Sequence, residues 1–91
     1  MVTDARLTRA EAGQVARMAH AGMARAVSPV HTPIDGDAAF CLATGERPAS
    51  VFACGVAAAE AVADAVRDAV TRATAVRGVP TAAERRAAFS R

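Results

Sequence analysis

From residue 8 onward, apolar and polar positions sort into two helical stretches separated by a loop and a short apolar run. Thr8-Arg-Ala-Glu11 fits a capping box, with Thr8 at the N-cap. Ala12, Val15, Ala16, Ala19, Gly22, Met23 and Ala26 then share one face at 3.6-residue spacing, and Gln14, Arg17 and Arg25 share the other. The spacing predicts a helix over 8–27, since Pro29 disfavours helical geometry at Ser28. Its face of small residues suits a close approach to a sheet or another helix. A second helix is expected over 50–77, with Ser50 as N-cap, Gly78 just past its end and Pro80 beyond. Its apolar face reads as Phe52, Val56, Ala59, Val62, Ala63, Val66, Val70 and Ala73. Glu60, Asp64, Arg67, Asp68, Thr71 and Arg72 lie opposite, as a solvated or subunit-facing surface.

Between the helices, residues 28–37 form a proline-bearing loop. The apolar run from Ala38 to Ala43 is too short for a helix and reads as a buried strand, 38–44, followed by a turn over Thr44–Pro48. Residues 1–4 read as a strand stump. Residues 78–91 form a tail in which Thr81-Ala-Ala-Glu84 repeats the capping-box pattern. The order is strand, helix, strand, helix: an α/β fragment, read as one partial domain with no repeat and no linker. A lone inner strand needs neighbours to satisfy its edges.

Composition sharpens that expectation. Alanine makes up over a quarter of the 91 residues, and the aromatics are three phenylalanines. Burying alanines recovers little at roughly 25 cal/mol per Å², so the chain reads as a layer of something larger. The net charge of +2 is too weak to imply nucleic acid. All eleven basic residues are arginine, a choice that fits codon bias better than function. Met1-Val-Thr-Asp lacks the apolar stretch of a signal peptide. No run reaches the roughly 20 apolar residues of a membrane span, and the expectation is a cytoplasmic protein. Cys41 and Cys54 read as buried reduced thiols. No cysteine–histidine cluster has zinc spacing, and no cofactor is implied.

The chemistry concentrates in Asp35-Gly36-Asp37. Alternate carboxylates in extended chain point the same way, and two on one side can share a proton, orient an amine or bind a cation. Asp-Gly is also a common turn dipeptide, and that reading stays open. A calcium loop fails: Asp35, Asp37 and Glu46 fall at positions 1, 3 and 12, but Ala39 and Phe40 occupy positions 5 and 6. His31 is either a ligand or base beside the carboxylates or a loop histidine bonding its neighbours. His20 reads as structural, at the edge of the first helix's apolar face. Phosphate-loop, dinucleotide, serine-elbow and zincin motifs are absent.

Three runs together resemble one family: Met18-Ala-His20-Ala-Gly22-Met-Ala-Arg25-Ala26, Pro29-Val-His31-Thr32-Pro-Ile-Asp35-Gly36-Asp37 and Phe40-Cys-Leu-Ala43-Thr44-Gly45. They are similar to the C-terminal part of the self-processing aminopeptidases that cleave β-amino or D-amino peptides. That family includes the endo-type 6-aminohexanoate-oligomer (nylon oligomer) hydrolase. The resemblance covers residues 2–77 and implies an αββα sandwich of the N-terminal-nucleophile type, related to ornithine acetyltransferase. It also implies a precursor that cleaves itself into an α and a β chain, with an N-terminal Ser or Thr on the β chain as nucleophile. By position, Asp35 and Asp37 match the polar pair beside the nucleophile, where they orient its hydroxyl and amine and assist self-cleavage. The family's lysine and oxyanion-hole asparagine lie in the α chain. The nucleophile position falls about five residues before Met1, so it is expected from outside this chain, which alone would be inactive. The partners implied are the α chain, further αβ units and a peptide or amide substrate. The alternative is a non-catalytic helical module that pairs with a partner or with itself.

Overall fold

The computed structural model describes residues 1–89, without the side chain of Phe89, so the last two positions of the expected tail lie outside it. Five elements follow in order: β1 (Val2–Ala5), α1 (Arg9–Ala26), β2 (Leu42–Arg47), α2 (Val51–Arg72) and α3 (Ala82–Phe89). Thr8 caps α1 in a complete capping box. Its side chain accepts from the Glu11 amide at 3.1 Å, and its own amide donates to Glu11 Oε1 at 2.8 Å. Ser50 caps α2, accepting from the Ala53 amide at 3.0 Å. Thr81 accepts from the Glu84 amide at 3.2 Å and starts α3.

β1 and β2 pair in parallel, with Val2 opposite Leu42, Thr3 opposite Ala43 and Ala5 opposite Arg47. The second strand therefore begins and ends later than the 38–44 expected from sequence, and the expected turn over Thr44–Pro48 is largely strand. Two local facts explain the shift. Ahead of Leu42, the backbone of residues 38–41 takes one hydrogen bond among the described residues, from the Met1 ammonium to the Phe40 carbonyl at 2.8 Å, so no ladder forms there. Beyond Ala43, a bulge takes up extra residues at Gly45, whose φ of +81° suits glycine. Pairing then resumes, with the Arg6 amide donating to the Arg47 carbonyl at 2.6 Å, until Pro48 removes the next donor.

The run is also not buried on both faces. Ala39, Cys41 and Ala43 are half-buried toward the helices, whereas Phe40 and Leu42 (63% exposed) face outward beside Val2 (72% exposed). This period-two alternation marks a sheet with one covered face.

α1 and α2 make the principal tertiary contact. The α1 face is the expected one, with Val15, Ala19 and Gly22 buried. The α2 face is rotated from the expected one. Gly55, Ala58, Ala59 and Ala63 are buried, while Phe52 (75% exposed), Val56 and Val70 point outward. Small residues win this interface because the helices come too close for large ones. A Cβ on Gly22 would run into the Ala59 backbone carbonyl, with the Ala63 nitrogen 3.1 Å away.

α2 ends at Arg72, short of the expected 77. Near its end the Thr71 hydroxyl donates back to the carbonyls of Arg67 (3.0 Å) and Asp68 (3.3 Å), which competes with helix continuation. Arg77 and Gly78, both at positive φ, then turn the chain between Val76 and Val79.

The buried hydrophobic residues are Ala5, Val15, Ala19, Ala58, Ala59 and Ala63. The radius of gyration is 16.2 Å, against about 12 Å for a compact domain of this length. No described helix is long and apolar enough to cross a membrane.

Candidate active site

The loop after α1 is built by its breakers. Val27 leaves helical geometry while its amide still donates to the Met23 carbonyl at 2.8 Å. Past Pro29 and Val30, His31 adopts a left-handed backbone with φ +57°. The chain then reverses over Thr32–Asp35. The Asp35 amide donates to the Thr32 carbonyl (3.0 Å), and the Thr32 amide donates to Asp35 Oδ2 (2.8 Å). Pro33 and Ile34 occupy the tip of this turn, which accounts for the near-complete exposure of Ile34.

The reversal places Asp35 and Asp37 on one cleft of about 280 Å³, walled by Met23 of α1, its C-cap Val27, the loop residues Pro29 and Val30, and Val66 of α2. The structure thus brings together the two carboxylates singled out in the sequence, in a loop rather than at the edge of a strand. They differ in commitment. Asp35 closes the Thr32–Asp35 turn, whose tip is Pro33-Ile34 rather than the Asp35-Gly36 dipeptide. The Thr32 amide and the hydrogen bonding of its side chain hold the Asp35 carboxyl below the usual 3.8. Partial desolvation opposes this, and the nearby His31 adds a smaller lowering. Asp37 instead approaches His31, with Nδ1 3.3 Å from Oδ2 and each side chain a little over one-third exposed.

Sequence reasoning left His31 undecided and set His20 aside as structural. The two rings meet edge to face, with centroids 4.7 Å apart at 67°, and the His20 Nδ1 is buried without a hydrogen-bond partner among the described residues. Nothing in the spacing of residues 20, 31 and 37 signals this line of contacts, because it depends on the chain doubling back over Thr32–Asp35. Among the described residues no group of His, Cys, Asp and Glu could hold a metal ion. Cys41 and Cys54 are unpaired and half-buried. A groove of about 590 Å³ between the end of α2 and α3 is lined by Val70, Val76, Val79 and Pro80 and, among the described residues, by no carboxylate, imidazole or thiol.

An α/β chain presenting two carboxylates on a loop is compatible with an amide hydrolase, and comparison with known proteins defines the class further. The sequence model of peptidase family S58 matches residues 1–83, and the chain belongs to that family. It is 42% identical over 93 residues to an uncharacterized aminopeptidase of Mycobacterium bovis, covering 86% of this chain and 27% of that one. To an uncharacterized aminopeptidase of Mycobacterium leprae it is 38% identical over 96 residues, covering 89% and 26%. To the 6-aminohexanoate-oligomer endohydrolase of Kocuria sp. it is 39% identical over 46 residues, covering 50% and 13%. The chain thus spans about a quarter of the length of these mycobacterial relatives. No solved structure matches it.

Proposed function

We propose that this chain is the C-terminal segment of a self-processing N-terminal-nucleophile amide hydrolase, of the aminopeptidase or 6-aminohexanoate-oligomer hydrolase type. The observation that carries the reading is the convergence of Asp35 and Asp37 on one cleft in a chain of peptidase family S58. The Ser or Thr nucleophile and the α-chain groups come from polypeptide outside these 91 residues. In this reading a second sheet covers the exposed Val2–Leu42 face, completing an αββα sandwich that assembles further as αβ units. In this arrangement Asp37 orients the amine or hydroxyl of the nucleophile. Its carboxylate makes no polar contact other than that with His31 among the described residues. Asp35 holds the turn that presents it. A carboxylate so placed favours the protonated amine during acyl transfer and helps the nucleophile lose its proton.

The test is made in the complete enzyme that contains this segment. Asp37→Asn is expected to slow hydrolysis of an amino-acid p-nitroanilide or a 6-aminohexanoate oligomer by about 10²–10⁴-fold. Self-cleavage, read as the appearance of two chains on a gel, is expected to slow with it. Full processing and hydrolysis after Asp35→Ala and Asp37→Ala together would sink the reading. It would favour the alternative of a helical module that pairs through its exposed apolar faces.

A further inference from the structure

His31 reaches Asp37 from the one part of the loop where the backbone is left-handed, and it is braced from behind. Its ring packs edge to face on His20, which projects from α1, and its Nδ1 lies 3.3 Å from Asp37 Oδ2. The side chain is therefore fixed at both ends, by a helix on one side and a carboxylate on the other. The φ of +57° at His31 points the same way. A β-carbon residue adopts that conformation uncommonly, histidine being among the types enriched there, and the surroundings must hold it.

We propose that His31 is a positioning residue that fixes the Asp37 carboxylate in the cleft, with His20 bracing the His31 ring. The inference rests on the assignment of Asp37 to the hydrolytic site and deepens it. An imidazole carrying a proton on Nδ1 restrains the rotation of the carboxylate. It selects the rotamer in which the second carboxylate oxygen remains available to the nucleophile. Without it, Asp37 stays in the cleft but samples several rotamers, and the fraction of productive geometry falls.

Two substitutions in the complete enzyme separate positioning from backbone effects. His31→Gly accepts the left-handed backbone without strain and removes the imidazole. His31→Asn also tolerates that backbone and keeps an N–H donor close to the Nδ1 position. The expected result is a fall in kcat of about 10–100-fold for His31→Gly, with KM and melting temperature near those of the parent. Most of that loss should be recovered in His31→Asn. Added to Asp37→Asn, His31→Gly should cost little more, since both act through one carboxylate. If Asp37→Asn slows the enzyme while His31→Gly does not, the positioning role is overturned and the Asp37 assignment stands. Loss in His31→Gly that accompanies a lowered melting temperature and is not recovered by His31→Asn likewise overturns it, leaving His31 a purely structural residue. If Asp37→Asn itself leaves the rate intact, the underlying assignment fails instead.

Discussion

Replacing Gly22 by alanine should part the two helices that hold this chain together. An ideal Cβ at Gly22 would collide with the carbonyl oxygen of Ala59, and would lie 2.9 Å from its carbonyl carbon and 3.1 Å from the Ala63 nitrogen. All three are backbone atoms of α2, so no side-chain rotation relieves the contact. Restoring ordinary separation moves the helices apart by about 1 Å, a gap that forfeits a quarter to a half of each dispersion contact across the interface. Overpacking of this kind costs about 1–3 kcal/mol. Against it stands the helix propensity of alanine over glycine, about 1 kcal/mol in the other direction. Because every clashing atom is backbone, the cost should fall at or beyond the upper end of that range, leaving a net loss of about 2 kcal/mol or more.

Two other glycines supply internal controls. Gly13 lies on the exposed side of the same helix with nothing within 4 Å, so Gly13→Ala keeps only the propensity gain and should stabilise by about 0.5–1 kcal/mol. At Gly55 the new methyl would meet the Sδ and Cε of Met18, the mobile end of a flexible side chain, so Gly55→Ala should cost less than Gly22→Ala. Urea denaturation of the complete enzyme, read by far-ultraviolet circular dichroism, should rank the midpoints Gly13→Ala, parent, Gly55→Ala, Gly22→Ala from highest to lowest. A Gly22→Ala midpoint at or above the parent's would refute the close helix approach on which the fold description depends.

Two further outcomes follow from local contacts. Thr8→Ala removes one half of the capping box of α1 and should destabilise by about 0.5–2 kcal/mol in the same denaturation assay, with Thr8→Ser restoring most of it. The Asp35 carboxyl is held below its ordinary value chiefly by the Thr32 amide. Its contribution to the turn is therefore present above the unfolded value and lost as pH falls through the depressed folded value. The Thr32 amide proton should shift in NMR spectra with a midpoint below 3.8, and Asp35→Asn should abolish that titration.

The helix starts were legible because each rests on a contact three residues long, as in Thr8 with Glu11 and Ser50 with Ala53. The α1 face was legible for a related reason: its apolar positions are small throughout, so periodicity and packing agree. On α2 they part. Periodicity weights Phe52 and Val56 above Gly55 and Ala58, whereas the approach of Gly22 to Ala59 admits only the small side. Strand limits were not legible, since they depend on a partner forty residues away and on a bulge at Gly45. The two aspartates could be singled out as a pair by their spacing. His31 could be named beside them but not decided between a group acting on the carboxylates and a loop histidine, because its contact with Asp37 exists only after the Thr32–Asp35 turn closes.

The placement of side chains by size bears directly on the proposed assembly. The interior holds five alanines and one valine, and a buried methyl contributes roughly 0.8 kcal/mol. Val2, Phe40, Leu42 and Phe52 remain largely exposed. Burying each would contribute about 1.5–3 kcal/mol, so the four together hold about 6–12 kcal/mol. That is comparable to the whole stability of an ordinary domain, about 5–15 kcal/mol. Val2 and Leu42 are register partners on the uncovered face of a two-stranded sheet, and Phe40 stands next to them in the chain. Hydrophobic free energy comparable to that of the fully buried core is thus available on the outside of this chain. A second sheet laid on that face would cover Val2, Phe40 and Leu42 and capture their share of it. The exposed apolar surface therefore supports the proposed sandwich architecture.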